Sequence, residues 1–199
     1  MEVTITPLFK TPEIKRKTRA AQAAIEKATI SALNKIATQG MTQGRKAITE
    51  TYNIKNADVK PAFKLIRARK DNPIATIRAR GDTSLPLFKF GGLPKAPVSQ
   101  AGIPAPYKRR RKASAKVLKK GTRERFRHAF VAKMGSEVSI YERTTGKRLP
   151  VRKLRAIGIP AMFENVSVKA IDGIVRAKGQ QIYEHEAGYY LDKAGVRRR

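Results

Sequence analysis

The fold is decided by residues 11–51, which read TPEIKRKTRAAQAAIEKATISALNKIATQGMTQGRKAITET. Thr11 can cap a helix, Pro12 suits its first turn, and Glu13 favours the positive end of its dipole. Apolar residues then recur at spacings of three and four, as on one helix face: Ala21, Ala24, Ile25, Ala28, Ala32, Leu33, Ile36, Ala37, Met41, Gly44, Ile48 and Tyr52. Gly40 would normally end a helix. The unbroken stripe instead predicts one long helix over about residues 12–51, with residues 40–44 as the place for a kink.

Strand patterns follow this helix, and a second helix closes the chain. The predicted strands cover residues 63–69, 74–80, 115–118, 128–134, 137–143 and 149–157, with a short apolar edge segment at 85–90. A helical turn at 160–164 precedes a last helix over about residues 168–193. The expected fold class is α+β: a mixed or antiparallel sheet packed by a long N-terminal helix and a C-terminal helix, with a long basic Pro/Gly-rich loop.

The length of 199 residues fits a single domain. We expect this domain to cover residues 1–199, with an extended arm at 1–10, a flexible loop at 91–112 and a basic tail at 194–199. Residues 91–107 are rich in Pro, Gly and Ala, and the stretch that follows is strongly basic, so the sequence predicts poor order across 91–127 in the free subunit. No apolar run approaches the ~18 residues of a membrane span, so we expect no membrane partner.

The charge of the chain indicates a polyanionic or acidic partner. Lys and Arg number 44 against 15 Asp and Glu, a formal net charge of +29. The densest stretch, 108–127, holds eleven cations and one acid. Its cations are candidate contacts for DNA or for an acidic protein surface: Lys108, Arg109, Arg110, Arg111, Lys112, Lys116, Lys119, Lys120, Arg123, Arg125 and Arg127. A third interpretation, a solvated loop whose charge only aids solubility, stays open.

Catalytic chemistry has little support in the sequence. The chain has no Cys, which excludes thiol nucleophiles and cysteine-ligated metals, and it has only two His. His185 stands between Glu184 and Glu186 on the last predicted helix, where adjacent residues do not face each other, so the trio does not predict a metal site. We therefore expect a non-enzymatic protein without a cofactor or a metal.

Residues 148–165, RLPVRKLRAIGIPAMFEN, resemble the prophage minor tail protein Z family, the tail-completion proteins of long-tailed phages. That family tends to show a basic residue, Leu-Pro-Ile or Val, a spacer with Leu, and a Gly-Pro-Ser-like turn before an apolar-Pro-x-Met element. Gly158 and Pro160 keep this frame, whereas Ile157-Gly158-Ile159 departs from the Gly-Pro-Ser step. The segments 129–143 and 182–186 are similar to a strand pair and a helix end of the family.

The resemblance implies a structural virion protein that completes the head-proximal end of the tail and supports head–tail joining and DNA positioning. It implies location in the neck of the virion, with host cytoplasm as the site of assembly. The implied partners are tail terminator, tail tube and head–tail connector proteins, further copies of the chain in a homo-oligomeric ring, and the backbone of double-stranded DNA.

Part of the resembling stretch is a candidate protein interface, or alternatively a turn that closes the sheet onto the helices: Leu149, Pro150, Val151, Leu154, Pro160, Met162 and Phe163. A second hypothesis from a different class is a non-enzymatic nucleic-acid-binding protein of ribosomal or nucleoid type. Such a protein would use backbone electrostatics without reading bases.

Overall fold

The structure, a computed structural model, describes residues 11–95, 112–147 and 149–196. The predicted arm at 1–10, the cations Lys108 to Arg111 and the end of the basic tail lie outside the described residues. The elements are α1 (Thr11–Thr51), α2 (Asn56–Val59), β1 (Phe63–Ile66), β2 (Thr76–Ala79), β3 (Ser84–Pro86), β4 (Ser114–Ala115), β5 (Glu124–Arg125), β6 (Ala129–Met134), β7 (Glu137–Arg143), β8 (Val151–Lys153), β9 (Arg155–Ile157), α3 (Ile159–Met162) and α4 (Val168–Lys193). Short antiparallel pairings beside long helices confirm the α+β class.

The long N-terminal helix is confirmed, and its glycines have a packing role. Helical structure continues without interruption through Gly40 and Gly44. A Cβ atom on Gly40 would lie 3.2 Å from Ile171 Cγ2, and one on Gly44 would lie 3.1 Å from Ile171 Cδ1. Both distances are shorter than ordinary side-chain contacts, so glycine at these two positions lets Ile171 of α4 approach the helix backbone closely. The residues that would end an isolated helix therefore serve helix–helix packing here.

The chain forms two compact units. The first, which we call the helical unit, covers residues 1–39, 65–76 and 173–199. In it, the side chain of Asn34 on α1 fixes the segment after β1: its Nδ2 donates to the carbonyl of Ala68 at 3.1 Å, and its Oδ1 accepts from the Ala68 amide at 2.8 Å. Ala68 is buried, so this pair of bonds satisfies both backbone groups of a buried residue.

The second unit, which we call the sheet unit, covers residues 40–64 and 77–172. Its largest sheet has the order β6-β7-β8, and β3 pairs with β9, and β4 with β5, in separate two-stranded sheets. The predicted hairpin at 128–143 is confirmed, with Val131 opposite Ile140 in the β6–β7 register. The remaining pair, β1 with β2, matches the predicted hairpin around residues 70–73, although both strands are shorter than expected.

One element prediction was wrong, at residues 149–157. The predicted single strand at 149–157 is divided at Leu154, because β8 pairs with β7 whereas β9 pairs with β3. The backbone of Leu154 links the two sheets: its amide donates to Ile140 O, and its carbonyl accepts from the Leu87 amide, both at 2.9 Å. The last helix is confirmed at Val168–Lys193, and α3 continues into it through a π-helical turn at Phe163–Ser167.

Two apolar clusters hold the sheet unit together. The first contains Ile48, Tyr52, Ile54, Val59, Phe63, Leu85, Phe90, Ile159 and Met162. The second combines residues of β4, β6 and β7 with two residues outside the strands, and contains Leu87, Ala113, Ala115, Ala129, Val131 and Ile140. Within the ranges that the structure describes, no helix has the length and apolar character needed to cross a bilayer.

Candidate functional site

The described part of the basic stretch, residues 112–127, is joined by backbone hydrogen bonds to the C-terminal end of α1 and the residues that follow it. The amide of Asn53 donates to Val117 O at 2.8 Å, and the amide of Lys119 donates to Thr51 O at 2.9 Å. Between these bonds, Tyr52 and Leu118 form an antiparallel bridge. The backbone around Lys119 is therefore held by a segment more than sixty residues away in sequence.

Residues 90–93 hold the same stretch from another side. The amide of Lys116 donates to Phe90 O at 3.0 Å, and one guanidinium nitrogen of Arg123 donates to Gly91 O at 2.8 Å. Gly91 has φ +66, and a Cβ atom there would lie 2.6 Å from Asn53 Nδ2. Both the backbone conformation and the space require glycine at this turn, which places its carbonyl where Arg123 can reach it.

The stretch also pairs with itself. Ser114 lies opposite Arg125 and Ala115 opposite Glu124, and the amide of Phe126 donates to the Ala113 carbonyl at 2.9 Å. Ala113 is fully buried and belongs to the second apolar cluster, so this strand pair packs against that cluster. Residues 91–95 and 112–127 therefore contain backbone hydrogen bonds to distant parts of the chain, the poor order of 91–127 in the free subunit stays a prediction, and residues 96–111 lie outside the described part of the chain.

The cations of this stretch form what we call the basic surface: Lys112, Lys116, Lys119, Lys120, Arg123, Arg125 and Arg127. Lys116 is half-buried and the other six are exposed. No carboxylate among the described residues lies within ion-pair distance of these seven cations. The sheet unit does pair cations elsewhere, since Arg152 binds Glu142 at 2.7 Å and Lys153 binds Glu137. The backbone of the basic surface is thus held by hydrogen bonds, and its cations have no ion-pair partner among the described residues.

The candidate interface residues are placed at very different depths. Leu149 is 65% exposed and Pro150 is exposed, whereas Val151, Leu154 and Pro160 are half-buried. Met162 is 0% exposed and belongs to the first apolar cluster. Phe163 packs edge-on against Phe63 with ring centroids 5.4 Å apart. Met162 and Phe163 therefore act mainly in the core, and Leu149 with Pro150 offers the accessible part of the set.

A buried ionic cluster lies in the helical unit around Glu186. Glu186 belongs to the Glu-His-Glu trio at 184–186, which the sequence did not predict to be a metal site. Glu186 is 3% exposed, and its carboxylate accepts from Ser31 Oγ at 2.6 Å and Lys35 Nζ at 2.5 Å. His185 Nδ1 lies 3.2 Å from the same carboxylate. The hydrogen bonds from Lys35 and then Ser31 lower the pKa of Glu186 to about 2 against the effect of burial. In the described ranges no group of three or more His, Cys, Asp or Glu could hold a metal ion. The role of this cluster is structural, because its hydrogen bonds join α1 to α4.

Sequence reasoning located the cations but not the residues that fix them. Thr51, Asn53 and Phe90 act through backbone groups or a short amide side chain, so no composition or charge pattern marks them. The one available signal was Gly91, in a Pro/Gly-rich stretch where glycine commonly serves a turn.

The comparison with protein-family models decides the family. The model of prophage minor tail protein Z matches residues 13–182, which is most of the chain. The chain belongs to the prophage minor tail protein Z family. No curated protein and no solved structure gives a significant match. Family membership confirms the resemblance at residues 148–165 and makes the chain a structural component of a phage tail, not an enzyme.

Membership also decides between the two hypotheses drawn from the sequence. A minor tail protein resides in the virion and contacts other tail components. The ribosomal or nucleoid alternative rested on net charge alone, and charge is equally compatible with a tail protein.

Proposed function

We propose that this minor tail protein completes the head-proximal end of the tail, in the neck, and that its basic surface contacts the DNA that passes there. The single observation that supports the DNA contact is the array of cations at residues 112–127, whose backbone is hydrogen-bonded and which has no ion-pair partner among the described residues. A solvated loop needs no such backbone bonds, whereas seven cations that have no carboxylate partner in the described ranges, on a hydrogen-bonded backbone, form a surface that can bind anions in a defined place.

The contact would be made to phosphates without reading bases. Lys and Arg bind the phosphate backbone with release of counterions, and such contacts carry no sequence information. They also repeat along the duplex, which lets DNA slide. A neck must retain the end of the DNA and later release it, and many weak, salt-screened contacts satisfy both needs. Copies of the chain arranged as a ring around the tail axis would present the basic surface repeatedly.

A second use of the same surface is docking on acidic faces of neighbouring proteins, such as the tail terminator, the tail tube or the head–tail connector. Arg pairs with carboxylates in a defined two-pronged geometry that Lys cannot reproduce. Exposed Leu149 and Pro150 would add apolar contact to such an interface. The DNA account is favoured because the basic surface mixes Lys and Arg, and phosphate contacts need positive charge without the fixed two-pronged geometry of Arg.

The experiment replaces Arg125 and Arg127 together, first by Ala and then by Lys, in an otherwise intact phage. Under the DNA account, the Ala variant forms joined particles that retain DNA poorly, and the Lys variant is nearly normal because only charge matters. Electron microscopy scores joining, and nuclease-accessible DNA with plaque counts scores retention. The same two substitutions in Arg109 to Arg111 extend the test to the cations outside the described residues.

The matched control removes two exposed cations of the sheet unit outside the basic surface, Lys64 and Lys133, by substitution with Ala. It makes the same change in net charge and should leave retention intact. If both the Ala and the Lys variants of Arg125 and Arg127 block joining, the surface docks on protein. If the Ala variant joins, retains DNA and infects like the wild type, the proposal fails.

A further inference from the structure

The basic stretch contains a two-stranded ribbon, β4 with β5, whose two faces differ in character. In its register Ser114 lies opposite Arg125. The amide of Phe126 donates to the carbonyl of Ala113, which continues the same register by one pair. Side chains alternate between the two faces of a strand, so the residues of the ribbon divide into two sets.

One face of the ribbon packs inward. Its residues belong to the second apolar cluster or pack against it: Ala113, Ala115, Val117 and Phe126. Glu124, the one acid of residues 108–127, takes a position of the same set, since it stands two residues before Phe126. The inward face therefore holds the apolar side chains and the only acid of the stretch.

The alternate positions hold cations, and we call these five residues the ribbon face: Lys112, Lys116, Arg123, Arg125 and Arg127. The register continues to Lys112 opposite Arg127 at one end of the ribbon. At the other end it brings Lys116 opposite Arg123. Like charges in opposite positions of a strand pair are destabilising, and no carboxylate of the described residues lies within ion-pair distance of these five. A bound anion would remove that repulsion.

The turn at residues 90–91 holds one of these two pairs. The amide of Lys116 donates to the carbonyl of Phe90 at 3.0 Å. A guanidinium nitrogen of Arg123 donates to the carbonyl of Gly91 at 2.8 Å. A guanidinium has further N–H donors, so this bond orients the group and leaves the others for a ligand. A side chain that is already oriented loses less conformational freedom on binding.

We propose that the ribbon face is the part of the basic surface that binds the DNA backbone, and that Lys119 and Lys120, in the turn beyond the ribbon, do not contact it. This inference rests on the proposed DNA contact and narrows it to five cations. The two pairs are four residues apart, roughly 13 Å along the strand. One DNA strand carries about four phosphates over that length, so several cations can contact one strand together while Glu124 points away from it.

The experiment measures binding of the full chain to a labelled duplex of about 30 base pairs, at salt concentrations from about 0.05 to 0.3 M. Each phosphate contact contributes about 0.9 to the magnitude of the slope of log affinity against log salt. Replacing Lys112 and Lys116 together by Ala should lower that magnitude by about 1.8. The matched control replaces Lys119 and Lys120 by Ala, which makes the same change in charge in the same stretch and should leave the slope unchanged.

A second ribbon variant, with Arg125 and Arg127 replaced by Ala, should lower the slope by a similar amount. It decides the question if the first variant is misfolded, because Lys116 is half-buried whereas both Arg side chains are exposed; circular dichroism checks the fold of each variant. Equal losses in the ribbon and turn variants, or a wild-type slope in the ribbon variants, would overturn the ribbon face and leave the DNA contact as an effect of net charge. Absence of salt-dependent duplex binding by the wild type would overturn the DNA contact and this inference together.

Discussion

The buried carboxylate of Glu186 should make a measurable, pH-dependent contribution to stability, and Glu186→Gln isolates it. The substitution keeps the size of the side chain and removes its charge. In the wild type, Lys35 and Ser31 both donate to the carboxylate, and the group is 3% exposed. An amide in the same place can still accept from Lys35, but it lacks the negative charge that makes this contact an ion pair.

The size of the effect follows from the pKa of Glu186, which is lowered from 4.5 to about 2 by Lys35 first and Ser31 second. One pKa unit between the folded and unfolded states corresponds to about 1.4 kcal/mol, so the charge contributes about 3 kcal/mol to the free energy of unfolding. Because the folded-state pKa is the lower one, this contribution is complete above about pH 5 and is lost as the pH falls toward 2. The expected drop in Tm at pH 7 is about 6–12 °C.

The assay is urea unfolding followed by circular dichroism, for both chains, at several pH values between 7 and 2.5. The difference in unfolding free energy should be largest at neutral pH and shrink toward zero at the acid end. Glu184→Gln is the control, since Glu184 is exposed and bonds with Gln180 on its own helix. Lys35→Met adds a second check, because its effect and that of Glu186→Gln should fall short of additivity by about 1 kcal/mol or more.

Two results would refute this reasoning. One is a difference between wild type and Glu186→Gln that stays constant from pH 7 to pH 2.5, which would mean that the carboxylate does not titrate with a lowered pKa. The other is an equal loss in Glu184→Gln, which would mean that burial and the bonds to α1 contribute nothing specific.

Three further predictions concern the sheet unit. Gly158→Ala should cost about 3 kcal/mol or more in urea unfolding, because its Cβ would lie 2.2 Å from the backbone oxygen of Asp82; a stable variant would contradict that packing. Met162→Ala should lower the free energy of unfolding by about 2–5 kcal/mol because Met162 is buried, whereas Leu149→Ala should change it by less than about 0.5 kcal/mol because Leu149 is exposed. Equal losses of stability in the two variants would contradict the burial of Met162 and the exposure of Leu149. The amide of Lys119, bonded to the end of α1, should exchange slowly in the free protein, and exchange at the rate of an unstructured peptide would show that residues 112–127 are not fixed.

The helices and the β6–β7 hairpin were predictable because their signals are local. Apolar periodicity in 11–51 depends only on spacing along the chain, and it remained correct even through Gly40. The division at Leu154 was not predictable, because residues 151–157 form a continuous strand pattern and only the partners β7 and β3 distinguish its halves. Pairing partners distant in sequence leave no trace in a local window.

The same distinction applies to the basic surface. Net charge and its concentration in residues 108–127 are properties of composition, and they located the cations. Order depends on long-range bonds to Thr51 and Phe90, and a rule that equates Pro, Gly and charge with disorder could not anticipate them. Burial of Met162 was missed for a related reason, since the resemblance marks a residue as typical of the family without saying whether it faces the core or a partner.

The packing around Gly158 explains what the most family-like stretch does physically. Ile157 is the last paired residue of β9, opposite Ser84, and the helix α3 begins at Ile159 with Pro160 in its first turn. Gly158 makes that change of direction against the backbone of Asp82 and Thr83, where a side chain has no room. Its φ of −88 is open to any residue, so close approach is the reason for glycine here. The Gly-x-Pro step therefore joins β9 to the last helix and is an architectural element of the fold. An interface in this stretch would therefore involve Leu149 and Pro150, which the fold leaves exposed. Under the proposed function, Leu149→Ala should reduce head–tail joining in an infection, scored by electron microscopy, whereas Gly158→Ala should act earlier, by lowering the amount of folded protein.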